Sequence, residues 1–313
     1  MQIPYFRNFP SLESFRTRIL RIAKQPKKLS PEAGVLLFAI PLIAKANCKN
    51  WERTIELLNQ TLISVLNQTD ENFRVLIAAN DDVRPLIPDD KKIDVVIKSI
   101  APSSAAEVQN PSRQWRDSDQ VQKKLLLTEM GKKLGVNYIM YLDADDLVRN
   151  DLVMKLRKEK PRYGCILTGG WVEDAVSGKV LRMPGRDIMT AEGQHLRFDQ
   201  FCGSSVILTY PETFNKNLLW DLYSEGHHNV RRIMIEKHMT AWDITEPLAI
   251  YRLNTGENAT FHVSNESGLL SWLESVLLTI NSKGRNLTAS ERRSFGLAGL
   301  QGNNGAKEVS RSE

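Results

Sequence analysis

Three carboxylates stand within four residues in the segment Asp143-Ala144-Asp145-Asp146. Carboxylates this close repel one another, so the segment is unfavourable unless solvent, basic partners or a divalent cation offsets the charge. Carboxylate oxygens suit Mg²⁺ and Mn²⁺, and one or two carboxylates complete an octahedral shell together with the phosphates of a bound nucleotide. The segment therefore predicts a site for Mn²⁺ or Mg²⁺ on Asp145 and Asp143. The competing interpretation is a surface turn in which Asp146 or Asn150 caps the next helix.

The position of this acidic segment supports the metal interpretation. Residues 138–142 form an apolar run directly before it, and a helix is predicted over residues 151–158 after it. A short apolar run of this kind is consistent with a buried strand. Ligands of open parallel sheets lie beyond the carboxyl ends of the strands, and the acidic segment stands at such an end.

The elements that must position the acidic segment alternate between strands and helices. Apolar runs of the kind buried on both faces cover residues 35–40, 73–79, 93–97 and 138–142, and helical spacing covers residues 51–67 and 121–134. A strand, a helix and a second parallel strand imply a right-handed crossover. The first half of the chain is therefore predicted to be α/β, with a doubly wound, Rossmann-like sheet that binds a nucleotide.

The second half continues with strands predicted over residues 164–170, 204–208 and 248–252, and helices over residues 230–237 and 269–280. We expect these strands to complete the same single mixed sheet and to add a smaller subdomain. The predicted organisation is a basic amphipathic arm (1–33), a main domain (34–262, with halves 34–150 and 151–262), a helical extension (263–298) and a flexible tail (299–313).

Composition excludes several classes of protein. With 313 residues, 42% of them apolar and 25% charged, the chain has enough material for one large globular domain. A net charge of +5 is too mild to indicate nucleic acid as a partner. The three cysteines are far apart, which fits a reducing cytoplasm and no disulfide framework. The longest apolar run, residues 35–44, is too short to cross a membrane.

The N-terminal arm has two interpretations. Residues 11–28 predict a short helix with an apolar stripe surrounded by arginine and lysine. Such a helix can anchor a protein on anionic lipid, which would place the protein at the inner face of the membrane. The alternative is an arm that packs on the body of the protein.

Three stretches of the sequence resemble the family 2 glycosyltransferases, which have the GT-A fold. TLISVLNQT at residues 61–69, followed by NFRVLI at residues 72–77, is similar to the family's first helix and second strand. YIMYLDADD at residues 138–146 resembles its metal-binding strand, and EPLAIYR at residues 246–252 resembles the strand after its catalytic helix. The resemblance spans about residues 34–262 and implies a GT-A fold with a nucleotide-sugar half and an acceptor-side subdomain.

The resemblance also implies which residues hold the nucleotide-sugar donor. They lie at three predicted strand ends, at Pro41, Leu42, Ala44, Asn80, Asp81, Asp143 and Ala144. The family usually has an aspartate near position 80, so Asn80 is a departure from its pattern. Lys123 and Lys124 fall where the family often places a basic residue facing the donor phosphates. The alternative for the two lysines is an exposed helix face.

The sequence departs from the family at the residue expected to act as general base. The family commonly has Glu-Asp before the strand at residues 246–252, whereas this chain has His227 and His228. A neutral imidazole can accept a proton near pH 7, so His228 is the predicted base. A histidine also ligates the metal in some GT-A enzymes, which makes His228 a candidate ligand as well. Adjacent helical residues point about 100° apart, so at most one of the pair faces the site.

Both histidines are surface residues in the remaining interpretation, and a carboxylate then takes the role of base. Asp187, Asp199 and Glu225 are the candidates. Asp199 is preferred because it precedes FCGSS at residues 201–205, which resembles the family's acceptor-side strand.

The resemblance predicts a metal-dependent glycosyltransferase that moves a sugar from a nucleoside-diphosphate sugar to a hydroxyl of a glycan or glycolipid, with inversion, in surface polysaccharide or glycolipid synthesis of the bacterial type. Two alternatives remain. A sugar nucleotidyltransferase also has an α/β sheet and metal-binding carboxylates, but it normally carries a glycine-rich basic loop after its first strand. A catalytically degenerate glycan-binding or scaffold protein of the same fold would account for the missing Glu-Asp pair.

Overall fold

The computed structural model describes residues 34–97, 113–188, 195–210, 222, 227–257 and 269–298. The predicted N-terminal arm, the predicted tail and Glu225 lie outside the described residues. Within these ranges the chain is α/β, with mixed sheets of parallel and antiparallel strands. None of the described helices is long and apolar enough to span a membrane.

The described elements follow the predicted alternation in the first half of the chain, whereas several short elements of the second half were not predicted. The strands are β1 (Leu36–Pro41), β2 (Phe73–Ala79), β3 (Ile93–Ile97), β4 (Tyr138–Tyr141), β5 (Leu147–Val148), β6 (Gly164–Leu167), β7 (Gly170–Asp174), β8 (Lys179–Met183), β9 (Val206–Thr209), β10 (Trp242–Ile244), β11 (Ala249–Leu253) and β12 (Arg285–Asn286). The α-helices are α1 (Trp51–Leu66), α2 (Arg113–Leu134), α3 (Leu152–Glu159), α4 (Phe198–Phe201), α5 (Val230–Glu236), α6 (Leu269–Lys283) and α7 (Ala289–Ser294). Short 3₁₀ helices include Gly203–Ser205 and His227–Asn229.

Seven strands form the larger sheet, in the order β10-β6-β9-β4-β1-β2-β3. β1 pairs in parallel with both β2 and β4, whereas β9 runs antiparallel to β4 and β6. The chain moves outward from β1 through β2 to β3 and then returns to the other side of β1 at β4. β1 and β4 therefore flank a topological switch point, the place at which ligands of such sheets bind.

The larger sheet is covered on both faces, which explains why its central strands are continuously apolar. Five of the six residues of β1 are buried, and alternate residues belong to two different cores. Phe38 packs in the core to which α1 contributes Leu58. Ala39 packs in the core to which α2 contributes Leu127. The two helices thus hold β1 and β4 from opposite sides.

Five further strands form a second sheet, in the order β12-β8-β7-β11-β5. The prediction of a single sheet is therefore wrong for part of the second half. β6, β9 and β10 extend the larger sheet, but β5 turns away directly after the acidic segment and pairs antiparallel with β11. β7 and β8 form an antiparallel hairpin, and β11 pairs with β7 on one side and with β5 on the other, so these strands hydrogen-bond to one another and not to the larger sheet.

The C-terminal elements pack on this second sheet. α6 contributes Leu273, Val276 and Ile280 to the main core. α7 begins with a capping box in which the hydroxyl of Thr288 and the carboxylate of Glu291 each accept a hydrogen bond from the other residue's backbone N–H. The helical extension is thus part of the folded body of the chain.

Candidate active site

The acidic segment lies at the switch point of the larger sheet. β4 ends at Tyr141, and Asp143 and Asp145 follow in the turn that leads to β5. The backbone N–H of Leu142 donates to the carbonyl of Ala39 in β1 at 3.0 Å, so the turn starts beside the end of β1. Asp143 and Asp145 keep partial exposure, whereas Asp146 is fully buried. The first two carboxylates are therefore the ones that can meet a ligand.

Hydroxyl groups from separate elements hold the backbone of this turn. Thr61 in α1 donates to the carbonyl of Ala144 at 2.9 Å. The backbone N–H of Asp143 donates to the hydroxyl of Ser204 at 2.8 Å. The same hydroxyl donates to the carboxylate of Asp146 at 2.6 Å. The turn is thus fixed by α1 on one side and by the Gly203–Ser205 helix on the other.

Asp146 supports the turn and does not cap the next helix. Its carboxylate also accepts hydrogen bonds from the backbone N–H of Arg252 at 3.2 Å and from the thiol of Cys202 at 3.5 Å. The residue before α3 is Asp151, and no side-chain capping bond is present there. The helix-cap interpretation of the acidic segment is therefore wrong for Asp146.

The electrostatics of the three carboxylates favour a cation. Burial, followed by the neighbouring charge of Asp143, raises the pKa of Asp145 to about 7. Burial also raises the pKa of Asp143, and the ammonium of Lys124 offsets part of that effect. The pKa of Asp146 is raised well above its ordinary range by burial and by the other two carboxylates. Burial and mutual repulsion thus disfavour the ionised form of these carboxylates, and a divalent cation bound to them would favour it.

The helix α2 presents two polar side chains to Asp143. Gln120 donates to the carboxylate at 3.2 Å, and Lys124, one turn further along, lowers the pKa of the same group. Lys124 is buried, with its ammonium 5.6 Å from the centre of the Tyr141 ring. These contacts rule out the interpretation of Lys124 as part of an exposed helix face.

Lys123 has a different environment from Lys124. Its side chain is 1% exposed, and its ammonium donates to the carbonyl of Leu42 and to the carboxylate of Asp119, both at 2.7 Å. Its charge is thus paired on α2, and its contact with the β1 loop fixes the backbone around Leu42. Lys123 supports the loop, whereas Lys124 lies with the acidic segment.

The residues predicted to hold the nucleoside lie at two adjacent strand ends. Pro41 and Ala44 follow β1, and Asn80 and Asp81 follow β2, which pairs with β1 in parallel. The carboxylate of Asp81 accepts the backbone N–H of Lys45 at 2.9 Å, so the two loops are joined. Ala44 is buried, whereas Pro41, Asn80 and Asp81 are half-buried. The structure brings these residues together, and their role toward a nucleoside stays a prediction.

The two histidines differ in their position relative to Asp143. A Cβ on Gly203 would stand 2.8 Å from Asp143 Oδ2 and 3.8 Å from His227 Nδ1, so these two side chains flank the same point. The side chain of His228 is exposed. The prediction selected His228 as base and ligand, but His227 is the imidazole that the structure places beside the acidic segment.

The surroundings of His227 favour its neutral form. Burial, the ammonium of Lys124 and the ring of His228 lower its pKa to about 4, although the backbone carbonyls of Gln200 and Phe201 favour the charged form. A neutral imidazole can ligate a metal ion, whereas a group with so low a pKa is a weak base at pH 7.

Asp199 is held in an ion-pair network. Its carboxylate is 5% exposed and accepts hydrogen bonds from Arg197 at 3.0 and 3.2 Å and from Arg231 at 3.3 Å. Arg231 pairs in turn with Asp243 at 2.7 Å. Two guanidinium groups thus engage both oxygens, so the geometry favours a structural role for this carboxylate. Asp187 pairs with Lys283 at 2.6 Å, outside the acidic segment.

Residues that the sequence did not single out also contact the acidic segment. Gln120, Ser204 and Thr255 each hydrogen-bond to it. Only Ser204 had a signal, since it lies in the stretch that resembles the family's acceptor-side strand. Arg252, at the end of a family-like strand, pairs with Glu173 at 2.7 Å and donates to Gln60 at 2.6 Å.

No protein-family model matches the chain, and no curated protein matches its sequence significantly. Among the residues that the structure describes, no three histidine, cysteine, aspartate or glutamate side chains form a ready-made group of metal ligands. Mg²⁺ is commonly held by one or two carboxylates with the phosphates of its substrate, a pattern that needs fewer protein ligands.

Proposed function

We propose that this protein is a metal-dependent glycosyltransferase that moves a sugar from a nucleoside-diphosphate sugar to an acceptor hydroxyl. The observation that carries the proposal is the position of Asp143 and Asp145 beyond the carboxyl end of β4, at the switch point between β1 and β4. Sheets of this kind bind nucleotides at that point. Lys124 adds a positive charge on the same side, as a diphosphate would require.

The GT-A fold is part of the same proposal. In support, parts of the family-like stretches contact the acidic segment. Thr61, in the stretch at residues 61–69, donates to the carbonyl of Ala144. Residues 138–146 cover β4 with the acidic segment, and residues 246–252 lead into β11, where the backbone N–H of Arg252 donates to Asp146. The seven-stranded sheet, parallel at its centre with β9 antiparallel, is compatible with that fold.

The residues of this site fit a divalent cation. Asp143 and Asp145 offer hard oxygen ligands that are partly exposed and whose mutual repulsion a cation would relieve. His227 offers a neutral imidazole beside Asp143. When bound, Mn²⁺ or Mg²⁺ would neutralise the developing charge of the departing nucleoside diphosphate.

The remaining residues orient the reacting groups. Gln120 fixes the orientation of Asp143, and Lys124 holds a positive charge where the donor phosphates would lie. The loops joined by Asp81 and Lys45 would bind the nucleoside. His228 stays the predicted proton acceptor, because it lies next to His227 and remains accessible to an acceptor molecule. Inversion and a glycan or glycolipid acceptor stay predictions from the resemblance.

Thermal unfolding with and without nucleotide tests the proposal. The protein is heated with UDP, GDP, dTDP or CMP, each with and without Mn²⁺. We expect one nucleotide to raise the melting temperature by several degrees in the presence of Mn²⁺, because a ligand that binds the folded state stabilises it. Asp145→Asn should remove the shift, and the matched control Asp187→Asn should retain it. Absence of a shift with any nucleotide would contradict the proposal.

Product analysis separates this function from its two alternatives. A glycosyltransferase incubated with a nucleotide sugar and Mn²⁺ releases the nucleoside diphosphate slowly even when water replaces the acceptor. A sugar nucleotidyltransferase incubated with the same nucleotide sugar and pyrophosphate releases a nucleoside triphosphate and a sugar 1-phosphate instead. A scaffold of the same fold would bind the nucleotide and release neither product.

A further inference from the structure

A short segment after β11 connects the acidic segment to the start of α1. Thr255, two residues beyond the end of β11, is 4% exposed. Its hydroxyl donates to Asp145 Oδ2 at 3.4 Å and accepts the backbone N–H of Glu257 at 3.3 Å. The hydroxyl of Thr255 therefore lies between a carboxylate of the proposed metal site and the backbone at residue 257.

Glu257 anchors this segment on α1. One carboxylate oxygen accepts the backbone N–H of Asn50 at 2.7 Å, and the other accepts that of Lys49 at 3.1 Å. Asn50 is the residue that precedes α1, where the helix dipole favours a negative charge. Arg53 adds a second attachment, because its Nε donates to the carbonyl of Thr255 at 3.3 Å. The segment is thus fixed to α1 at two points.

On the basis of the proposed function, we propose that Thr255 is a positioning residue for Asp145. Its hydrogen bond holds the carboxylate in the orientation in which Asp145 binds the divalent cation, and Glu257 holds Thr255 in place against α1. Asp143 repels Asp145, so an ionised carboxylate at residue 145 needs a donor to fix its direction. Loss of such a supporting contact typically weakens metal binding by about 10- to 100-fold.

Titration of the metal-free, full-length protein with Mn²⁺ tests this inference, with the electron paramagnetic resonance signal of free Mn²⁺ as the readout. Thr255→Val preserves the shape of the side chain and removes the hydroxyl, and we expect it to raise the Kd for Mn²⁺ by about 10-fold or more. Thr255→Ser retains the hydroxyl and should restore a Kd close to that of the unsubstituted protein.

Thr168→Val is the matched control for a purely structural effect. The hydroxyl of Thr168 is buried and donates to the carbonyl of Ile244 at 3.2 Å, with no contact to the acidic segment among the described hydrogen bonds. This variant should therefore lose stability without a change in the Kd for Mn²⁺. Melting temperatures of all metal-free variants show whether Thr255→Val is folded.

A double-mutant cycle tests the role of Glu257. Glu257→Ala should weaken Mn²⁺ binding in the unsubstituted protein and have no further effect in the Thr255→Val background, because it acts through Thr255. Additive effects would overturn that coupling. If Thr255→Val bound Mn²⁺ with the Kd of the unsubstituted protein while Asp145→Asn abolished binding, the positioning role would be overturned and the proposed function would remain intact. No Mn²⁺ binding by the unsubstituted protein would overturn both.

Discussion

The hydroxyl of Ser204 donates a 2.6 Å hydrogen bond to the buried carboxylate of Asp146, and the same hydroxyl accepts the backbone N–H of Asp143. A single side chain thus links the two ends of the acidic segment. The contact explains why an aspartate is present at a fully buried position. The Asp146 carboxylate fixes the turn through hydrogen bonds in the interior, while Asp143 and Asp145 remain partly exposed.

Ser204→Ala should destabilise the protein, since it leaves two buried polar groups without this partner. We expect a loss of about 1–3 kcal/mol in the free energy of unfolding, measured with urea. Ser205→Ala is the control, because the hydroxyl of Ser205 is buried with no hydrogen-bond partner among the described residues. Equal losses for the two variants would show that the contact with Asp146 contributes little.

Gly203→Ala should disturb the site more than the fold. A Cβ at this position would stand 2.8 Å from Asp143 Oδ2, so the carboxylate must move. We expect the Mn²⁺-dependent shift with nucleotide to disappear, while the melting temperature without ligand changes little. Gly178→Ala provides the opposite case: its φ of +67° strains an alanine, but no atom lies within 4 Å of the added Cβ. That variant should lose stability and retain the shift.

Alanine substitutions of the two histidines should have different effects on the Mn²⁺-dependent thermal shift with nucleotide. His227→Ala removes the imidazole beside Asp143 and should reduce the Mn²⁺-dependent stabilisation by nucleotide. His228→Ala removes an exposed ring and should retain it, while lowering the transfer rate if His228 is the proton acceptor. If His228→Ala instead reduced the stabilisation by nucleotide and His227→Ala retained it, His228 would be the metal ligand.

Asp199→Asn tests whether this carboxylate supports the structure. The substitution weakens two guanidinium contacts of a nearly fully buried group, so we expect the free energy of unfolding to fall by about 1–3 kcal/mol. Nucleotide binding should survive in the folded fraction. A variant with parental stability that binds nucleotide but transfers no sugar would instead identify Asp199 as the base.

Acid should weaken the C-terminal end through Glu291. Hydrogen bonds from Arg285, and then from Thr288, lower the pKa of Glu291 to about 2. A depressed folded-state pKa means that the contribution is present above the unfolded value, near 4.5, and is lost as the pH falls toward 2. In Glu291→Gln this part of the pH dependence of the free energy of unfolding should vanish. Because solvent screens the ion pair, the substitution should lower the free energy of unfolding at neutral pH by about 1 kcal/mol or less. Urea unfolding between pH 5 and about pH 3 measures the difference.

The sequence predicted β1, β2 and β4 of the larger sheet well because these strands are apolar and almost completely buried. The bounds of β2 and β3 agree with the predicted ranges, and β4 differs by one residue. β5 and β12 of the second sheet were missed because they have two residues each, too few to show a period. α7 was missed for a similar reason: it has six residues and none of them is buried. The hairpin of β7 and β8, with five residues in each strand, was not predicted either.

The acidic segment was predictable because three carboxylates after a strand are a local pattern. The choice between His227 and His228 was not, since it depends on how the His227–Asn229 helix is rotated relative to Gly203. Thr255 lies 110 residues from Asp145 and is one hydroxyl in a loop, so no spacing in the sequence points to their contact.

The C-terminal extension places the limits of the folding unit beyond those of the family-like region. Phe295 packs in one cluster with Leu147 and Trp171, and the carbonyl of Ser294 accepts the backbone N–H of Asn150 at 2.8 Å. Leu147 directly follows the acidic segment. A protein shortened to residue 262 would thus expose apolar surface one residue away from Asp146, so expression of the family-like region alone is expected to yield an aggregation-prone product even if every proposed active-site residue is present.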